Sequence, residues 1–184
     1  SHRFGFLSGG VNEFFGLDNA DVRLGADMGL TDRLMVGIGR SGYQKTVDGF
    51  AKFKVLRQCD EGCGMPITLS VVASSSATTA KATEVPWFGP GREDFYSHRL
   101  SYAWQLVLGR KFSEGFSLQL TPGVVHRNLV EAASDRNDLF HLGVGTRAKL
   151  TKRLAINAEY FHVLREDQPF LTNSLSVGFD IETG

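Results

Sequence analysis

Proline, cysteine and net charge are all scarce in this sequence of 184 residues, and no long apolar run is present. Lys plus Arg and Asp plus Glu are 20 each, so the formal net charge is zero. Because nucleic-acid binders carry a clustered basic surplus, we predict no nucleic-acid partner. A membrane-spanning helix is excluded as well, since it needs ~20 consecutive apolar residues. The chain is 42% hydrophobic and 22% charged, which is too apolar for an intrinsically disordered protein.

Glycine and phenylalanine are abundant instead, with 21 Gly and 14 Phe beside 5 Pro and 2 Cys. This composition favours strands and turns over helices. The length fits one domain, and we predict a single domain over residues 1–184. A membrane-spanning β-barrel stays open as an interpretation, because alternating strands leave the mean hydropathy unremarkable.

Apolar residues alternate with polar residues or glycine at a period of two along most of the chain. In 21–30, every even position is apolar and every odd position is charged or glycine. Strict alternation indicates a strand, since successive side chains point to opposite faces of a sheet. The same rule predicts ten strands, at about 2–7, 21–30, 34–39, 50–57, 67–74, 96–108, 116–121, 140–149, 154–160 and 174–182.

The connections between these strands fall into two groups by length. Tight turns are predicted at 30–33, 112–116 and 150–153. Longer loops are predicted at 8–19, 41–48, 79–94, 128–138 and 165–173. Short turns at one end and long loops at the other are typical of outer-membrane barrels, in which the turns are periplasmic. A soluble β-sandwich offers no reason for this separation.

The polar face of the predicted strands carries charges of both signs among Gly and Ser. We predict that these charges point into a lumen, where opposite signs can pair as buried charges require. The predicted lumen charges are Asp21, Arg23, Asp27, Lys52, Lys54, Arg99, Arg147, Lys149, Glu159, Asp180 and Glu182. The apolar face, with aromatic residues toward the strand ends, then faces lipid. The predicted fold is an all-β, antiparallel, up-and-down transmembrane β-barrel of at least ten strands.

The chain resembles an uncharacterised family of predicted outer-membrane β-barrels of Gram-negative bacteria over nearly its whole length. The motifs that carry the resemblance begin with Ser1-His2-Arg3-Phe4-Gly5, Phe14-Phe15-Gly16-Leu17-Asp18 and Leu30-Thr31-Asp32-Arg33-Leu34, and continue at 37–41, 56–58, 99–102, 126–129, 150–153, 157–160 and 178–184. The resemblance implies location in the bacterial outer membrane and no established activity, so no catalytic residue is carried over. It also implies that chains of the family begin before Ser1 and continue past Gly184, so we expect this chain to lack a signal peptide and one or more terminal strands of a twelve-stranded barrel.

Two cysteines, Cys59 and Cys63, lie in the turn after the fourth predicted strand, which departs from the family pattern. Because the periplasm is oxidising, we predict a small disulfide between them. A metal site needs more ligands than this pair supplies, and haem attachment needs a C-x-x-C-H motif that the sequence does not contain. We therefore predict no cofactor and no metal.

Histidines and arginines recur near the loop-proximal ends of the later strands. The predicted outer rim comprises His98, His126, Arg127, His162 and Arg165. By alternation, the three rim histidines face lipid and His141 faces the lumen, which argues against one shared metal site. The plain interpretation is a polar rim at the headgroup boundary. The functional alternatives are recognition of lipopolysaccharide phosphates by basic side chains and a histidine-lined metal or haem contact.

The longest predicted loop, around 77–90, contains Trp87 and Phe88. Two interpretations stay open for these aromatic residues. The loop packs over the mouth of its own barrel, or the exposed aromatic side chains contact a partner protein.

The favoured function is that of a non-enzymatic outer-membrane barrel, a structural or scaffold subunit of an envelope complex. Its expected partners are the lipid bilayer, lipopolysaccharide and envelope proteins. A small-solute channel is the second hypothesis. A lipid-active enzyme is the third and least favoured hypothesis. Ser97 and His98 would point to opposite faces of one strand, so they could not form a catalytic pair, and no G-x-S-x-G motif is present.

Overall fold

A computed structural model describes residues 2–3, 10–12, 21–59, 63–85, 87–88, 91–132, 135–164 and 173–182. In these ranges the regular structure consists of strands and short 3-10 turns. None of the helical segments in the described ranges has the length and apolar character needed to cross a membrane.

The strands follow one another in chain order. They are β1 (His2–Arg3), β2 (Asp21–Gly29), β3 (Leu34–Ser41), β4 (Thr46–Leu56), β5 (Thr68–Thr78), β6 (Leu100–Lys111), β7 (Phe116–Arg127), β8 (Asp138–Lys149), β9 (Leu154–Leu164) and β10 (Ser174–Ile181). Each strand pairs antiparallel with its neighbour in sequence to form one curled sheet. The predicted all-β, up-and-down architecture is therefore confirmed. Within the described residues, β1 and β10 do not pair with each other.

Tight turns join β2 to β3, β6 to β7 and β8 to β9 at one end of the sheet. The first and third share the pattern Leu-Thr-x-Arg-Leu, at 30–34 and 150–154. In both, the threonine hydroxyl oxygen accepts the backbone N–H groups of the second and third residues after it. A backbone hydrogen bond closes each turn: Leu30 N–H donates to Leu34 O at 2.8 Å, and Leu150 N–H donates to Leu154 O at 2.9 Å. We call this end of the sheet the turn side, and the opposite end, where the longer loops lie, the loop side.

Several strand boundaries differ from the sequence prediction, among them those of β6 and β7. The segment Tyr96–Arg99 is a 3-10 turn, so β6 begins at Leu100 rather than at 96. β7 continues to Arg127, past Pro122, although its apolar-polar alternation ends near 121. Pro122 still pairs with Leu142 of β8, because a proline interrupts only the ladder to which its missing N–H would donate.

The apolar face of the sheet is exposed and the polar face lies on the concave side. In β8, Phe140 is 56% exposed, whereas its neighbours Leu139 and His141 are each 8% exposed. Leu24 and Ile38 are similarly exposed, at 75% and 62%. A water-soluble β-protein buries such side chains, whereas a membrane barrel presents them to lipid. The convex face thus has the character of a lipid-facing wall, and the concave face holds the candidate functional groups.

Candidate functional site on the concave face and its loop-side mouth

An ion pair crosses the concave face near its loop side. Arg23 of β2 reaches over β3 to Asp48 of β4, donating from Nε to Oδ1 at 2.9 Å and from Nη2 to Oδ2. The two side chains are 26% and 24% exposed, so the pair is half-buried. Two parallel N–H···O bonds give the pair a defined geometry. Sequence reasoning missed Asp48 because it assigned residues 41–48 to a loop.

Wide side chains lie flat on glycines across the loop-side half of the concave face. In four places the ring or guanidinium of one strand occupies the position where a Cβ of a neighbouring glycine would stand. The contacts are Arg23 on Gly39, Phe50 on Gly37, His141 on Gly123 and Phe161 on Gly143. These glycines provide room for side chains of the adjacent strands. We call this part of the concave face, where side chains cover the glycines at these four positions, the filled loop-side half.

Nine of the predicted lumen charges lie on strands and share the concave face, as the strand register places them. The structure joins some of them to partners. Arg147 Nε donates to Asp180 Oδ2 at 3.1 Å, across β9, and Ser41 Oγ donates to Asp21 Oδ2 at 2.5 Å. The other two predicted members lie outside the strands: Arg99 lies in the 3-10 turn before β6, and Glu182 follows the end of β10.

A hollow of about 630 Å³ occupies the turn-side half of the concave face. Its polar lining includes Gln119, Arg147, Asn157 and Glu159. Small residues complete the lining, among them Gly145, which has no side-chain neighbour closer than 3.6 Å to the position of a Cβ. The turn-side half is therefore open where the loop-side half is filled.

A cavity of about 410 Å³ lies at the loop-side mouth. Its lining includes Gln44, Trp87, His98, Arg99, Arg127 and Arg136. Among the buried side-chain nitrogen and oxygen atoms of the described residues, Trp87 Nε1 alone has no hydrogen-bond partner. Trp87 and Phe88 are both half-buried. Trp87 thus lines the mouth, and the more exposed aromatic residues nearby are Tyr43, Phe95 and Tyr96.

Two arginines hold the loops of the mouth together. Arg99 binds Asp94 and donates from Nη1 to Thr78 O at 3.2 Å and Ala80 O at 2.5 Å. Its hydrogen bonds lower the pKa of the Asp94 carboxyl below the usual value. Arg92 donates to three backbone carbonyl oxygens at 2.7–3.0 Å, those of Trp87, Val130 and Glu131. Arg92 joins the loop before β6 to the loop after β7, and no sequence pattern marked it.

The connection between β3 and β4 forms a further wall of the mouth. Gln44 and Lys45 have left-handed backbone, with φ of 52° and 50°, which is uncommon for residues with a side chain. Lys45 O accepts the Thr79 hydroxyl at 2.5 Å, and Lys45 Nζ donates to Glu84 Oε2 at 2.9 Å. The hydrogen bond from Lys45 lowers the pKa of Glu84. This connection is therefore attached to the loop after β5.

The rim histidines each have a separate local partner. His126 Nδ1 donates to Asp138 Oδ1 at 2.7 Å on the outer wall. His162 lies on the same wall, with its ring 6.5 Å from that of Tyr160. These two histidines face outward, as alternation predicts, and the predicted rim residue Arg165 lies outside the described residues.

Two further histidines, His98 and His141, differ from this pair. His98 lies in the 3-10 turn, not on a strand, and its Nδ1 donates to Glu93 O at 3.1 Å. His141 faces the concave side, where the Gln105 amide N–H donates to its Nε2 at 3.1 Å. Across the part of the chain that the structure describes, no three His, Cys, Asp or Glu side chains converge as a metal site would require.

The connection after β4 carries the two cysteines. Cys59 and Cys63 form a disulfide with a Cα–Cα distance of 6.1 Å. Just before it, the Gln58 amide donates to Lys111 O at 2.8 Å and accepts Lys111 N–H at 2.7 Å. The side-chain amide thereby substitutes for a strand residue beside the end of β6. The sequence alone does not indicate this role of Gln58, because its pairing with Lys111 exists only after the sheet forms.

Comparison with known families adds one finding. A family model described as a membrane bound beta barrel domain (DUF5777) matches residues 1–184. The match confirms the resemblance to an uncharacterised barrel family and the prediction of a membrane β-barrel. No curated protein matches this sequence.

Proposed function

The chain belongs to this family of membrane-bound β-barrel domains, and on that premise we propose that it is a non-enzymatic barrel of the bacterial outer membrane. We propose further that it serves as a structural or scaffold subunit of an envelope complex. Its partners would be the lipid bilayer, lipopolysaccharide and envelope proteins. The observation that carries this proposal is the filled loop-side half of the concave face.

A filled interior argues for function at the outer wall and the loops. The barrel interior is only slightly wider than side chains when strands are few. Here Arg23, Phe50, His141 and Phe161 lie across the loop-side half on glycines. The loops above them are joined by Arg92. These groups would narrow the loop-side part of any path along the concave face.

The outer-membrane assignment is supported by the two ends of the strands. Three tight turns stand at one end and longer loops at the other, which is typical of bacterial outer-membrane barrels. On the outer wall near the loop side, the ring centroids of Tyr102 and His126 are 6.5 Å apart, and so are those of Tyr160 and His162. Such amphipathic rings suit the boundary between acyl chains and headgroups, where lipopolysaccharide would be met.

The proposal that the protein is not an enzyme is supported by the environment of the candidate Ser-His pair. Ser97 O accepts the Asn128 amide at 2.8 Å, and His98 Nδ1 is bonded to Glu93 O. Within the described residues, no serine hydroxyl is hydrogen-bonded to a histidine. Incubation with radiolabelled phospholipid and lipopolysaccharide is expected to give neither hydrolysis nor acyl transfer, and either product would refute this part of the proposal.

Planar-bilayer recording tests whether the interior conducts. We expect no steady current from the wild-type protein. The variant Arg23→Ala/Phe50→Ala, which empties part of the loop-side half, is expected to conduct more. Gln119→Ala, in the turn-side hollow, serves as the matched control and is expected to stay silent. Steady current through the wild type would favour the small-solute channel, the second candidate, which the hollow of about 630 Å³ supports.

Co-purification tests the scaffold role. The tagged full-length protein, extracted from native envelopes in mild detergent, is expected to bring down the same envelope proteins in repeated preparations. Loosening the loops with Arg92→Ala should reduce that recovery more than Glu114→Ala, a change in a tight turn at the opposite end. Recovery of the barrel alone would contradict the scaffold proposal.

A further inference from the structure

The ladder between β6 and β7 is interrupted near its middle. Gln105 pairs with Gly123, and the described pairing resumes only three residues further along β6. Pro122 lies in this gap and has no N–H to donate. The adjacent Gly123 has no side chain to cover the gap. At the Pro122–Gly123 step the wall therefore lacks both a ladder hydrogen bond to β6 and a side chain on Gly123.

A depression of about 400 Å³ lies over this gap, within the size range of small-molecule sites. Its rim consists of outward apolar side chains, namely Trp104, Leu106, Phe140 and Leu164, all more than 45% exposed. Its lining also includes Gln105 and His141, which belong to the concave face. Residues of both faces contribute to one depression because Gly123 separates them by backbone alone.

The polar group in this depression is a buried histidine. His141 is 8% exposed, and its ring occupies the place that a Gly123 Cβ would take. The Gln105 amide donates to His141 Nε2 at 3.1 Å. No further hydrogen bond of this imidazole occurs among the described residues. Among these residues its Nδ1 therefore has no hydrogen-bond partner, and polar groups at this depth of a membrane wall usually have a function.

We propose that this depression is a lateral binding site for a long-chain fatty acid. The hydrocarbon chain lies against the apolar rim, and the carboxyl group hydrogen-bonds His141. A free fatty acid fits better than a phospholipid because Pro122 is near the middle of β7. The hydrocarbon core is ~30 Å thick, so phospholipid ester carbonyls, fixed at the interface, lie about 15 Å away. This inference needs only the membrane placement of the barrel, and not the scaffold role.

Energy transfer to a fluorescent polyene fatty acid provides the test. The protein has two tryptophans, so Trp87→Phe leaves Trp104, on the rim of the depression, as the single donor. In micelles we expect saturable transfer at about one fatty acid per chain. Pro122→Val restores the missing N–H and should weaken binding about tenfold or more. His141→Phe keeps a ring on Gly123 but removes the polar contact, and should weaken binding about 3- to 10-fold.

Two controls make the result decisive. Leu120→Ala changes the outer wall of β7 away from the depression and should leave the affinity unchanged. In bilayers of brominated phospholipid, added fatty acid should displace a brominated chain and restore Trp104 fluorescence. Non-saturable transfer, equal binding by wild type, Pro122→Val and His141→Phe, or brominated quenching that fatty acid does not relieve would each overturn the proposal. The last outcome would assign the depression to phospholipid chains.

Discussion

The two halves of the concave face use the same residue type in opposite ways. On the loop side and at mid-height, Gly37, Gly39 and Gly143 lie beneath rings or a guanidinium that overlap the position of a Cβ. On the turn side, Gly109 and Gly178 have nothing within 4 Å of that position. A glycine of the first kind is required by a neighbouring side chain, whereas a glycine of the second kind leaves space.

The difference shows what decides whether a lumen is filled. Both halves alternate apolar and small or polar residues, so their patterns look alike in sequence. They differ in the cross-strand neighbour: Phe161 faces Gly143, whereas Glu159 and Gln119 flank Gly145. Planar aromatic rings can lie flat on a glycine backbone, while carboxylate and amide groups extend into the hollow. Filling is therefore a property of pairs of residues on adjacent strands.

The sharpest test of this comparison uses two glycines of one strand. Gly143→Ala places a methyl group against the Phe161 ring and is expected to lower the free energy of unfolding by about 1–3 kcal/mol. Gly145→Ala, two residues away on the same face, meets no atom closer than 3.6 Å. It should be neutral or stabilising by about 0.4–1 kcal/mol. Reversible urea unfolding in lipid vesicles measures both values, and equal losses would break the comparison.

A smaller difference is expected between the two cross-strand ion pairs. The loop-side pair of Arg23 and Asp48 is 26% and 24% exposed, whereas the turn-side pair of Arg147 and Asp180 is 42% and 54% exposed. Charges nearer to water interact more weakly. Double-mutant cycles to alanine should give a coupling free energy of about 1–2 kcal/mol for the first pair and about 0.2–1 kcal/mol for the second.

The same vesicle unfolding assay measures all four single variants and both double variants. The cycle removes effects that each alanine has by itself. A larger coupling for Arg147 and Asp180 would show that the turn-side half is the more enclosed one, contrary to the structure.

Alternation was enough to predict the architecture and the direction of most strand residues. It placed Arg23 on the concave face and Phe140 on the outer wall, because orientation in a strand depends only on odd or even position. It failed at 96–99, where Tyr96-Ser97-His98-Arg99 continues the alternation while the backbone forms a 3-10 turn. The alternation cannot indicate the change from strand to 3-10 turn, because the turn depends on contacts with other loops.

The candidate site was less accessible to sequence reasoning than the fold. Asp48 complements Arg23, but its strand begins at Thr46, where Gly49 and Phe50 obscure the alternation. Arg92 acts on backbone carbonyl oxygens, which every residue carries, so no residue type could signal its role. The gap in the ladder between β6 and β7 has a cause that the sequence shows, namely Pro122. The sequence does not show, however, which of the two neighbouring strands the missing N–H would face.

The smallest expected effect concerns the mouth above the filled half. The pKa of Asp94 is lowered from the usual 3.8 by hydrogen bonds from Arg99. Its folded-state pKa is therefore below the unfolded value, so its contribution is fully present above the usual pKa and is lost as the pH falls through the lowered one. Below about pH 4 the loop should loosen locally, whereas the sheet should remain intact.

Trp87 in a Trp104→Phe background reports this local change. Its emission is expected to shift to longer wavelength on acidification, while far-UV circular dichroism stays constant. Asp94→Asn should produce the shift at neutral pH, because an amide cannot form the ion pair, and Glu93→Gln should not. Since Arg92 still holds the Trp87 carbonyl oxygen at 2.8 Å, the Asp94→Asn shift should be smaller than that of Arg92→Ala. The reverse order would mean that the ion pair, and not the backbone contacts of Arg92, keeps the mouth closed over the filled half.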